Sequence, residues 1–432
     1  MANKRRVVVT GLGCVSPLGI GVKPTWEKLA LGRSGIGRIK AYDSSSMEIQ
    51  IAGEVKDFNF DCDMLGSKKK LLEPYITRAG SFGLVAAKEA LEDASLINKI
   101  DFLGPVGISL GGHEESCTFD LMCDALPMKN IIENMKAHRV NVDSFPYEAI
   151  SIFVRRQAIN SAFLIGAVFG LNGPAVISSC ACAASSYAIG EAKGLVERGY
   201  VDVAITGGTE AYINEMTVGC FSLLGVLSKR NDEPGRASRP FDKDRDGFVM
   251  GEGGAILIIE ELGHAKKRGA KIYGELLGFG TSSNAYRITD TPPDGTGPDL
   301  AMMNTLKDAD LGPQDIDYIN AHGTSTLMND ISEVQAIKKV FGDHARNVAI
   351  SSTKSMIGHL IAGAGAVEAM VCLLSINEGI VHPTINLENQ DSRCDLDFVP
   401  LKARKANINV SLSNSFGFGG QNACLIFSKY EE

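Results

Sequence analysis

Short β-branched and aliphatic runs alternate along the chain with segments whose apolar positions recur at helical spacing. Strands are expected at Arg6–Thr10, Val106–Leu110, Ala175–Ser179, Val201–Thr206, Ala255–Glu260, Tyr318–Ala321, Val348–Ser352, Ile408–Leu412 and Ala423–Ser428. Helices are expected at Ser81–Ala94, Ser185–Arg198, Ser332–Phe341 and Ala362–Asn377. Strands spaced by helices predict an α/β architecture. The charged run from Glu261 to Gly269 divides the chain into halves, 1–262 and 263–432. The halves echo one another. Ile177-Ser178-Ser179 enters a turn and then a small-residue helix ending near Gly199; Ile350-Ser351-Ser352 does the same before a Gly/Ala-rich helix ending near Gly379. That spacing of about 170 residues suggests a duplicated α/β unit rather than a short-repeat solenoid.

Composition narrows the function more than the fold. The chain has 432 residues, too many for one ordinary core, with 44% hydrophobic and 22% charged residues. A net charge of −8 argues against a nucleic-acid binder, which needs a basic surface. Local basic clusters remain at Lys68-Lys69-Lys70, with Arg78 following, and at Arg155-Arg156; a solvated face is the plain account of both. Ten scattered cysteines, none in a metal-spaced CxxC pair, fit a reducing compartment rather than a disulfide framework. Val7-Val8-Val9 is too short for a signal core, and nowhere do about 18 consecutive apolar residues occur, so a cytoplasmic protein with no membrane partner is expected.

Five motifs bear on chemistry. Val7 to Gly13 ends in Gly-x-Gly, but the third glycine of a dinucleotide turn is missing, so a structural strand-to-turn is expected. The segment Gly173–Ser186 delivers Cys182 into a turn where a helix of small residues begins. A thiol at a helix N-terminus feels the positive end of the macrodipole, so its thiolate is favoured and its pKa is expected to fall. The same N–H groups can hold a thioester oxygen as it becomes an oxyanion. A buried structural cysteine is the competing reading. His322, in Asn320-Ala321-His322-Gly323-Thr324-Ser325-Thr326, and His359, in Ser351 to His359 with Lys354, both fall in loops after apolar strands, the second in the turn equivalent to that of Cys182. A lone histidine at a strand end is more often structural; the pair, among only seven histidines, says more. Asn414–Asn422 is a glycine-rich loop between strands, and a plain hairpin leaves its two phenylalanines unexplained.

These motifs resemble the β-ketoacyl-[acyl-carrier-protein] synthases, especially the elongating enzymes of dissociated fatty acid synthesis. The likeness runs from Val7–Gly13 through Ser238-Arg239-Pro240-Phe241-Asp242, Asp244–Phe248, His-Gly-Thr-Ser-Thr, and Lys354 with His359, to Gly417-Phe418-Gly419-Gly420. It implies a thiolase-like fold, two similar halves stacked as a five-layer αβαβα sandwich. The implied reaction is decarboxylative Claisen condensation of a cysteine-bound acyl group with a malonyl-carrier thioester. By motif position the resemblance makes Cys182 the nucleophile, His322 and His359 the enolate stabilisers, Lys354 their support and Glu368 a buried carboxylate behind it. Thr324 and Thr326 would hold the pantetheine arm, and Phe418 would gate the pocket and share the oxyanion hole. No cofactor or metal is implied, since the substrate rides on the phosphopantetheine arm of an acyl carrier protein. Lys68, Lys69 and Lys70 then read as its docking patch. A homodimer is implied, a ketosynthase/chain-length-factor heterodimer being the other arrangement. The chain departs from the pattern at Leu327, Gln421 and Gly111–Cys117, where Glu114 and Glu115 stand in place of small or apolar residues. Glu114 is therefore a candidate for the acyl pocket. Two alternatives are a ketosynthase of a polyketide or specialised lipid pathway and, in another class, a non-catalytic chain-length-determining subunit.

Overall fold

The computed structural model describes residues 4–97, 99–100, 103–113 and 157–432. Among the described residues, each half contributes five strands of three residues or more. The first half contributes β1 (Val7–Ser16), β2 (Val106–Gly111), β3 (Ala175–Ser178), β4 (Val203–Glu210) and β5 (Gly253–Glu261). The second contributes β6 (Gly274–Ser283), β7 (Tyr318–Asn320), β8 (Ala349–Ser351), β9 (Val410–Phe416) and β10 (Gln421–Ser428). Their order is β8-β7-β9-β10-β6 followed by β1-β5-β4-β2-β3, the same arrangement in mirror sequence about the centre. Among the described residues, strand pairing joins the two halves of the sheet at Val8 opposite Glu275 and Val9 opposite Gly274. The internal repeat read from the motifs is therefore a repeat of topology.

Helices α2 (Ala184–Glu197) and α5 (Ala364–Glu378) touch each other and strands of both halves, so they form the middle layer. Outside lie α1 (Arg78–Asp93) on the first sheet, and α3 (Pro298–Ala309) with α4 (Leu327–Phe341) on the second. This is the αβαβα sandwich of the thiolase-like fold. The middle layer explains the apolar stretch Ile361–Glu378, whose mean hydropathy of 1.4 is high enough for a membrane helix; 89% of it is buried inside the molecule. It is a core helix.

Two glycine patterns show how sheet and helix meet. The strand-to-turn expected at Val7–Gly13 is corrected: β1 runs on to Ser16, and Gly11 and Gly13 lie in its interior. A Cβ on Gly11 would come within 2.2 Å of the Ala90 carbonyl oxygen of α1, and one on Gly13 within 1.9 Å of that of Ala86. The second half repeats the device in β6. There Cβ atoms on Gly278 and Gly280 would lie 2.6 and 2.2 Å from backbone atoms of Thr305 in α3. Glycine in these strands permits close approach of a helix.

Candidate active site

The third strand of each half delivers the chemistry. After β3 the chain makes a tight turn, Ala181–Ala183, opened by Ala181 at φ 46°, and α2 follows at once. After β8 comes a short helix, Lys354–Ile357, and only then the matching turn, Ile361–Gly363, opened by Ile361 at φ 47°. Matching the turns pairs Cys182 with Ala362. The expectation that Lys354 and His359 occupy the turn equivalent to that of Cys182 is thus corrected: they sit in extra residues between strand and turn.

Cys182, His322 and His359 line one cavity of about 320 Å³. The two imidazole centroids are 5.4 Å apart, nearly perpendicular. Burial pushes both rings well below the ordinary histidine range, and the Lys354 ammonium adds to the effect, so both are neutral. The Nδ1 of His359 accepts the Ile361 N–H at 3.2 Å, which leaves the proton on Nε2. That Nε2 is buried and without a partner among the described residues, as is Nδ1 of His322. Behind them Lys354 and Glu368, each 1% exposed, form an ion pair.

Burial pushes the Cys182 thiol up to about 11, against the pull of Lys354 and of the Phe418 and Cys182 backbone N–H groups. The expected fall in its pKa is therefore corrected. The helix terminus and cation are present, but Cys182 is buried, and desolvation of its thiolate outweighs them. Cys14 and Cys372 are pushed up to about 12 by burial, yet neither lines the cavity. The eight cysteines among the described residues are all free thiols.

Such an arrangement suits chemistry that parks a group on sulfur and develops negative charge beside two neutral N–H donors. The comparisons agree with it. The family model described as "Beta-ketoacyl synthase, N-terminal domain" matches residues 4–265, and "Beta-ketoacyl synthase, C-terminal domain" matches residues 273–388. The chain belongs to the β-ketoacyl synthase family. It is 44% identical over 438 residues to the 3-oxoacyl-[acyl-carrier-protein] synthase 2 of Synechocystis sp., covering all of both chains. It is 43% identical to that of Coxiella burnetii, covering 99% of each. Among solved structures, a β-ketoacyl synthase from Burkholderia phymatum superposes with a TM-score of 0.85 at 32% identity, over 99% of this chain and 100% of that one. A type II polyketide ketosynthase, solved with its acyl-carrier protein and bound to a hexaketide, superposes at 0.82 with 33% identity, over 99% and 100%.

Other expected site residues of this ketosynthase-family chain fall as follows. Thr324 and Thr326 line the same cavity, their hydroxyls 2.9 Å apart, and Phe418 lies at its wall. The Phe418 ring stacks on Phe221, centroids 6.4 Å apart, and Phe221 packs edge-on to Phe248. Leu327, half exposed, stands beside Thr326 in the lining. Lys68 and Lys70 are on the surface, whereas Lys69 pairs with Asp63 at 3.0 Å. Arg78 does not extend that patch, because it pairs with buried Glu252. Glu114 and Glu115, with Arg155 and Arg156, lie outside the described residues.

Glu333 escaped the sequence. Fully buried on α4, it accepts the N–H groups of His322 and Gly323, both at 2.8 Å, and Nδ2 of Asn414 at 3.0 Å. Burial pushes its carboxyl up to about 7 despite these donors. It pins the histidine loop by its backbone. On an amphipathic helix a glutamate reads as solvated, and no local signal distinguishes this one.

Proposed function

We propose that the protein catalyses the decarboxylative condensation of an acyl group with a malonyl-carrier-protein thioester, as an elongating β-ketoacyl-[acyl-carrier-protein] synthase of fatty acid synthesis. The observation that carries this is the convergence of a buried thiol and two neutral imidazoles on one cavity.

In the first half-reaction the Cys182 sulfur attacks the carbonyl carbon of an acyl-carrier thioester. Its proton passes to the unprotonated ring nitrogen of neutral His322 and then to the departing pantetheine thiolate. The N–H groups of Cys182 and Phe418 hold the tetrahedral oxygen, and collapse leaves the acyl chain on sulfur. In the second, the bond from the malonyl α-carbon to its carboxylate breaks, CO₂ leaves, and the electron pair moves onto the thioester as an enolate. The His359 Nε2–H and one N–H of His322 donate to the enolate oxygen. Because both rings are neutral, they stabilise the charge without protonating the carbanion. The α-carbon then attacks the acyl carbonyl and expels the Cys182 sulfur. Lys354, held by Glu368, keeps the histidines neutral by its positive charge. Thr324 and Thr326 bind the pantetheine arm along the cavity mouth. The arm brings the substrate, and no separate cofactor enters these steps.

The partner is an acyl carrier protein, with exposed Lys68 and Lys70 and the paired Lys69 as its acidic-surface dock. A second copy of this chain pairs at β3, an apolar strand at the open edge of the sheet. We also propose halves divided at residues 262 and 263 and a cytoplasmic location. The polyketide alternative draws on the likeness at 33% identity, and the two 3-oxoacyl synthases at 43–44% favour fatty acid elongation. A non-catalytic chain-length subunit would not need Cys182, His322 and His359 around one cavity.

Incubation with an acyl-carrier thioester, followed by peptide mass mapping, is expected to find the acyl group on Cys182. An adduct on Cys180 that persists in Cys182→Ala would contradict the assignment.

A further inference from the structure

His382 is fully buried beyond α5 and touches neither the cavity nor Cys182. Its Nδ1 lies 3.1 Å from the carbonyl oxygen of Pro383, which can only accept, so Nδ1 carries the proton and Nε2 is a bare acceptor. Three hydroxyls converge on that nitrogen: Thr353 at 3.1 Å, and Ser351 and Tyr318 at 3.2 Å each. The directions are consistent. Asn320 Nδ2 donates to the Thr353 hydroxyl at 2.9 Å, which frees the Thr353 proton for His382. Tyr318 and Ser351 lie 2.9 Å apart, so one can donate to the other while the second faces the ring. Burial pushes His382 down to about 4, which suits a neutral acceptor.

The three hydroxyls, and the Asn320 that bonds one of them, are not scattered. Tyr318 and Asn320 belong to β7, which leads directly into His322. Ser351 ends β8, and Thr353 immediately precedes Lys354. We infer that His382 is a positioning residue for the decarboxylating centre: one lone pair ties together the strand ends that carry His322 and Lys354, and so sets Lys354 against the two histidines. This rests on the function proposed above. Among the described residues no hydrogen bond ties His382 to the β3 turn, so its loss is felt more in decarboxylation, which needs His322, His359 and Lys354 in register, than in acyl transfer, which draws on them for one proton transfer.

The test measures both half-reactions of the full-length protein. In His382→Leu, CO₂ release from a malonyl-carrier thioester is expected to fall at least tenfold, about what small misplacement of catalytic groups costs. Acyl transfer to Cys182, which draws on His322 for one proton transfer only, should fall severalfold less than CO₂ release. His382→Gln, whose amide oxygen can stand where Nε2 stands, should recover most of the loss. Equal falls in both half-reactions, or CO₂ release at the wild-type rate in folded His382→Leu, would overturn the inference. If His382→Leu does not fold, Thr353→Val removes the hydroxyl next to Lys354 and is judged by the same two rates. A wild type that releases no CO₂ would sink the functional reading itself, and this inference with it.

Discussion

The two strand-to-helix turns that meet at the cavity are copies of one backbone put to different uses. In the first half β3 passes straight into its turn, and the second residue of that turn is Cys182. In the second half the matching residue is Ala362; Lys354 and His359 sit in the extra residues from Thr353 to His359, and His322 comes from the end of β7. A turn with a left-handed first residue can present one atom at a helix terminus, which is enough for a nucleophile. A second imidazole and a cation need more chain, and the second half supplies it between β8 and its turn.

That comparison breaks most visibly at the histidines. His322→Ala or His359→Ala should slow CO₂ release by about 10²- to 10³-fold, the usual cost of losing an oxyanion donor. In His359→Ala acylation of Cys182 should fall far less, since His322 can still take the thiol proton; in His322→Ala the remaining imidazole already holds its proton on Nε2, and both steps should fall. Single-turnover rates of the two steps check this, and a folded His359→Ala that has lost both in parallel would contradict it.

Lys354→Met sharpens the comparison through stability. It leaves the Glu368 carboxylate buried without a cation, which typically costs about 3–5 kcal/mol. The double substitution Lys354→Met/Glu368→Leu should regain much of that in thermal or denaturant unfolding while remaining inactive in CO₂ release. No recovery in the double variant would mean that the pair is not the stability element of this half.

The thiol gives a milder, pH-resolved test. Because burial raises Cys182 to about 11, the unacylated enzyme holds a thiol at neutral pH. Its thiolate fraction, and with it alkylation by iodoacetamide, should rise about tenfold per pH unit from 7 to 10. Read at the Cys182 peptide, a plateau below pH 8 would show a pre-formed thiolate instead.

What the sequence could reveal follows the range of each physical effect. Strand runs such as Val201–Thr206, which forms as Val203–Glu210, and the Cys182, His322 and His359 that line the cavity, were legible because apolar periodicity and strand-end loops are local. Gly11, Gly13, Gly278 and Gly280 misled or hid their strands, since a glycine that admits a helix looks like a turn until the helix is seen. The Cys182 thiol was misjudged because the helix dipole is local whereas desolvation belongs to the whole cavity. Glu333 and His382 were missed for the same reason: their partners lie on distant strands, and alone each is an unremarkable polar residue.

The most direct test of the division between halves is Cys182→Ala incubated with a malonyl-carrier thioester alone. The account predicts that this variant takes up no acyl group, by intact mass, and yet releases CO₂ at a rate comparable to or above that of the wild type under the same conditions. A folded Cys182→Ala that releases no CO₂ would show that the second half cannot act without the first, and would contradict the account.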